Sequence, residues 1–132
     1  MKTFPDFTWE YITTICASWI NYEQEELTLD PASQMNQSAL VAWEGLLAVV
    51  TKLREHPEIE KLVPLMQLSY LYWFPSENHV VDLHYDQNKT EYILTVGTRT
   101  PSEGTSIDVR EAVPIDQVAD KIYTYITKLR DD

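Results

Sequence analysis

The stretch "VVDLHYDQNKTEYILTV", Val80 to Val96, decides how the middle of this chain is read. Asp82, His84 and Asp86 alternate with Val81, Leu83 and Tyr85, the period-two pattern of a strand with one apolar and one polar face. A second such run follows after a few polar residues, so the segment predicts a hairpin. With the turn centred on Gln87-Asn88, Val81 falls opposite Leu94, Leu83 opposite Tyr92 and Tyr85 opposite Thr90. The other face then sets His84 against Glu91, Asp86 against Lys89 and Asp82 against Ile93. Opposite-charge pairs of this kind contribute about 0.2–1 kcal/mol each.

Asp82, His84 and Asp86 also raise the question of a metal. Same-face residues stand ~6.7 Å apart along a strand, which separates Asp82 from Asp86 by ~13 Å. Ligands of a single ion need atoms ~2.0–2.2 Å from it, so two of the three can share an ion and all three cannot. The polar side is therefore read as a solvated face, and neither a metal nor another cofactor is expected.

Upstream, "LMQLSYLYWFP", Leu65 to Pro75, reads as one strand with Met66, Leu68, Tyr70, Tyr72 and Phe74 toward the core. As the edge of a meander it should leave Leu71 and Trp73 exposed on the opposite face, an apolar patch fit for a partner. Thr105 to Glu111, with Ile107 and Val109, supplies a fourth strand.

At the N-terminus, Asp6 and Thr8 offer caps for a helix from about Trp9 to Glu25. Trp9, Ile12, Cys16, Trp19 and Ile20 form one row, with Tyr11, Ile15 and Tyr22 beside it, so this wide face calls for cover on more than one side. Glu23, Glu25 and Glu26 make an acidic exit. Asp30 and Pro31 read as the cap and first residue of a second helix, striped by Met35, Ala39, Ala42, Leu46, Val49 and Leu53. It should stop near His56-Pro57, with one short turn between Pro57 and Leu62. From Pro114 the helical period returns in Val118, Ile122, Tyr125, Ile126 and Leu129.

This order predicts an α+β fold in a single domain over 1–132. Two N-terminal helices, a four-stranded antiparallel meander and a C-terminal amphipathic helix follow one another, with the helices on one face of the sheet.

Composition narrows the function. Ten Lys+Arg against 21 Asp+Glu, a net charge of −11, argue against binding a nucleic-acid backbone or an anionic membrane. Three glycines and no GxGxxG or GxxxxGKS pattern argue against a phosphate-cradling loop. Cys16 is read as a buried reduced thiol. No apolar stretch approaches 18 residues and no signal-peptide pattern opens the chain, so a cytoplasmic location is expected.

"GTRTPSEGTS", Gly97 to Ser106, reads as a compact projecting loop whose Arg99, Ser102 and Glu103 are placed to contact a partner. With Leu71 and Trp73 they are the candidate partner-binding residues, and no residue is assigned as catalytic. The expected function is that of a non-catalytic, acidic protein-binding domain: an inhibitor or immunity-type protein, a chaperone or an adaptor. Its partner is a protein, basic by charge complementarity, or a second copy of the chain. The alternative is an enzyme or small-ligand domain, with a pocket between helices and sheet near Arg99, Glu103 and His84. In size, acidity and closing amphipathic helix the chain is similar to type III secretion chaperones and to toxin-immunity proteins. Its two leading helices depart from the chaperone order of one.

Overall fold

The computed structural model describes Met1 and residues 4–130. Helix α1 (Trp9–Leu29) is capped by Thr8, whose hydroxyl accepts from the Tyr11 amide at 3.0 Å. It runs past Glu25 because no breaker intervenes before Asp30-Pro31. Helix α2 (Gln34–Glu55) starts at Ser33, not at Asp30. The Ser33 hydroxyl accepts from the Asn36 amide, while Asp30 closes α1 by donating its own amide to the Glu26 carbonyl. Pro31 therefore lies in the turn, and Met35 is exposed rather than in the core stripe. The helix ends at Glu55, before His56-Pro57, and a short 3-10 turn covers Ile59–Lys61. The C-terminal helix, α3, spans Ile115–Leu129.

Five antiparallel strands, not four, form a meander in chain order: β1 (Leu65–Gln67), β2 (Tyr70–Ser76), β3 (His79–Asp86), β4 (Glu91–Thr100) and β5 (Gly104–Val113). The extra strand arises at Leu68, which takes φ 55 and reverses the chain, so that Met66 pairs with Leu71 and Leu65 with Tyr72. Directly opposed residues share a face, so the reversal swaps the faces expected for β2. Leu71 and Trp73 are 0% and 1% exposed, in the core, while Tyr70, Tyr72 and Phe74 turn to the other side. Neither Leu71 nor Trp73 presents surface to a partner, which overturns their expected docking role.

The β3–β4 hairpin keeps its expected faces but slips by two residues. Val81 pairs with Val96, Leu83 with Leu94 and Tyr85 with Tyr92. A slip of two preserves which side each residue faces. It does dissolve the expected charge pairs: His84 meets Ile93, Asp82 meets Thr95 and Asp86 meets Glu91. The cause is local. The Asp86 carboxylate accepts from the Asn88 and Lys89 amides, and Thr90 takes φ 53, which makes a longer loop than the two-residue turn.

All three helices lie on one side of this sheet. Val118, Ile122 and Ile126 of α3 and Leu46, Val49, Val50 and Leu53 of α2 bury against Leu71, Trp73, Val81, Leu83 and Leu94. The α1 helix contributes Trp9, Ile12 and Cys16 from outside α2. Two indoles tie the 3-10 segment down: Trp9 Nε1 donates to the Glu60 carbonyl and Trp73 Nε1 to the Leu62 carbonyl, each at 2.7 Å. At the far end of the core the Tyr92 hydroxyl donates to the Gly45 carbonyl at 2.6 Å.

Gly45 lets α2 approach the sheet, because a methyl group there would overlap the Tyr85 ring. Alanine would gain about 1 kcal/mol of helix propensity, but overpacking of this kind costs about 1–3 kcal/mol. Gly45→Ala is therefore predicted to lower stability by on the order of 1 kcal/mol in urea unfolding. A raised midpoint would show that the contact yields freely.

Candidate functional site

A groove of about 530 Å³ lies between α1, α2 and β1. On α1, Ile12 and Cys16 point into the core, and the row beside them, Tyr11, Ile15 and Trp19, forms one wall. Ala39 and Ala42 of α2 form the other, where small side chains leave the width, and Trp43 closes it. Met66 of β1 and Leu68 just after it complete the lining, and the reversal at Leu68 leaves that side chain 82% exposed. Trp19 stacks on Trp43 with ring centres 5.7 Å apart and planes 6° from parallel, and Tyr22 meets Trp19 edge-on at 5.5 Å. The wide face formed by both rows of α1 calls for cover on more than one side. Instead Tyr11 and Trp19 remain 48% and 43% exposed. A rim of large rings half in water is what interaction surfaces present.

Polar chemistry enters this groove through Glu23, which is only 5% exposed and lines the cavity one turn beyond Trp19. Asn36 Nδ2 donates to Glu23 Oε2 at 2.6 Å.

The sheet face away from the helices carries a second cluster. One rung across it reads Leu65, Tyr72, Asp82, Thr95 and Arg110. Beside that rung runs an aromatic stripe: Phe74 to Tyr72 at 6.5 Å, Tyr72 to Tyr70 at 6.1 Å and Tyr70 to His84 at 4.5 Å. Burial among these rings pushes Asp82 up to about 6, against the pull of Arg110 and a hydrogen bond from Thr95. Burial also lowers His84, with Arg110 adding to the effect and Asp86 opposing it. The His84 Nδ1 atom is buried and has no hydrogen-bond partner. Among the described residues no three His, Cys, Asp or Glu side chains converge to hold one ion.

The expected Gly97–Ser106 loop is mostly strand, since β4 continues to Thr100 and β5 begins at Gly104, whose φ of 76 closes the turn. Ser102 and Glu103 stand exposed at the hairpin tip, while Arg99 lies on the outer face, 5.1 Å above the Phe74 ring. Arg99 is six positions beyond Ile93, the partner of His84, which is ~20 Å along the strand. Arg99, Glu103 and His84 therefore build no common pocket between the helices and the sheet. Cys16 is buried, and burial pushes its thiol up to about 11, out of the range of a nucleophile at neutral pH.

No family model, curated protein or solved structure matches the chain. No helix among the described residues is long and apolar enough to cross a membrane.

Asp82 yields a pH test. The unfolded chain releases this proton near 3.8 and the folded chain near 6, so ionisation opposes folding between those values. Its favourable contribution is complete below about 3.8 and is lost as the pH rises through about 6. His84, with its depressed value, acts in the opposite sense, its contribution being lost as the pH falls below 6.5. Comparing wild type with Asp82→Asn isolates the aspartate. The variant should be about 1 kcal/mol more stable at pH 7, after discounting for partial exposure, and the gap should close by pH 4. A gap that widens on acidification would contradict the assignment.

Proposed function

We propose that this chain is a binding domain that holds a segment of a partner protein in the α1–α2–β1 groove. The observation that carries the reading is the half-exposed rings of Tyr11 and Trp19 and the largely exposed Leu68 around a 530 Å³ apolar concavity. Burying those rings would supply the interaction energy, since aromatic anchors in water-excluding pockets dominate most interfaces. The net charge of −11 supports a basic partner, which it would steer toward the groove. One buried thiol and the acidic surface support action in the cytoplasm. The roles of inhibitor, chaperone or adaptor all use such a surface. A second copy of the chain is the competing occupant.

The paired substitutions Trp19→Ser and Leu68→Ser remove two exposed apolar side chains without opening the core. Because Trp19 stacks on Trp43, the joint effect of the two substitutions on stability should be about 1–3 kcal/mol, and circular dichroism confirms that the double variant is folded. Capture of the partner from native-host extract should fall at least ~30-fold, the loss expected for ~2 kcal/mol of anchor energy. Undiminished capture of the same protein by the double variant would contradict the groove. A monomer–dimer shift in size-exclusion chromatography that the double variant abolishes would name the second copy as occupant.

A further inference from the structure

Apolar burial does not account for Glu23. A carboxylate taken out of water needs donors or a cation to offset its lost hydration. Its single hydrogen bond comes from Asn36, and that amide is held in orientation by Ser33, whose hydroxyl donates to Asn36 Oδ1 at 2.5 Å. Among the described residues no Lys, Arg or His lies within ion-pair distance of Glu23. Ion pairs elsewhere join Lys52 to Asp116, His56 to Asp120 and Lys121 to Glu111. Glu23 lines the groove together with Trp19 and Trp43, and among the described residues Asn36 is the one donor bonded to its carboxylate.

A negative oxygen beside aromatic faces selects a cation, because ring quadrupoles and the carboxylate attract the same charge. Between the two protein cations, guanidinium fits better. It is planar, stacks on an indole and still directs N–H groups sideways to an acceptor, whereas a compact ammonium cannot stack. The groove also follows α1 from Tyr11 to Glu23, ~18 Å at ~1.5 Å per residue, far longer than a single amine needs. That length suits a helical segment of about 12 residues with its apolar side down.

We propose, resting on the groove reading above, that the occupant is an amphipathic segment of a basic partner protein, and that one arginine of that segment docks on Glu23 against the Trp19 indole. The apolar side chains of the segment fill the stretch from Tyr11 to Leu68, and the arginine sets their register.

A phage-displayed library of random 12-residue peptides panned against wild type, Glu23→Gln and Trp19→Ala tests this. Glutamine keeps an acceptor for Asn36, and circular dichroism confirms that the variant is folded. Wild type should enrich apolar peptides with an arginine near one end, on the order of tenfold above its library frequency. Glu23→Gln should enrich apolar peptides without the arginine, and Trp19→Ala should enrich neither. Replacing the arginine of a selected peptide by citrulline should weaken its binding to wild type at least ~10-fold, a test that needs no protein variant. Apolar peptides selected by wild type without a basic residue would overturn the arginine while the groove stands. No enrichment by wild type would remove both readings. Arginine amide binding as tightly as the selected peptide would overturn a protein segment as the occupant.

Discussion

Burial of the Trp73 indole is the interaction on which the rest of this molecule depends. The ring fills the centre of the sheet's inner face, and its N–H closes on the Leu62 carbonyl. That bond satisfies the polar atom of a side chain otherwise wholly apolar, as a buried indole requires. It also fixes the 3-10 segment between α2 and β1, which Trp9 holds from the other side through the Glu60 carbonyl. For Trp73 to face inward the chain must reverse at Leu68, and the positive φ of that residue is the local strain that the core offsets. The same reversal makes β1 an edge strand and lifts Leu68 onto the surface. Core and groove are consequences of a single turn.

The two faces of the sheet divide the chemistry. The inner face is apolar beneath α2 and α3, and Glu111 near its edge contacts Lys121 and Tyr125. The outer face has no helix over it and shields itself with stacked rings, so Thr95 and Ile93 are buried there by their neighbours alone. Asp82 sits in that partly dry layer, which is why its proton is held more tightly than usual. The groove is different in kind, with little polar lining except at Glu23, and it is open along its length.

Much of the architecture was legible from the residues. Period-two alternation in Val80–Val96 gave the correct faces for β3 and β4 even though the register was off by two, because an even slip leaves side-chain direction unchanged. Helical stripes and the His56-Pro57 stop located α2 and α3 to within a few residues. The Leu68 reversal was not legible, because leucine is an unusual residue for positive φ and no Gly or Asn marks the turn. The core faces of β2 were assigned wrongly for that reason alone. In the groove, the double apolar row of α1 was visible, but a pattern reports which residues are apolar and not what covers them. Glu23 passed for part of a solvated acidic run, and only the antiparallel packing of α1 on α2 brings it beside Asn36 and Trp43.

Fluorine NMR of protein labelled with 5-fluorotryptophan, read in the presence of a soluble paramagnetic agent, tests the central claim most directly. Single Trp→Phe substitutions assign the four resonances. The Trp73 and Trp9 signals should be nearly untouched by the agent, and that of Trp19 strongly broadened. A Trp73 signal broadened as much as that of Trp19 would mean that β2 faces the other way, and the account of both core and groove would fail.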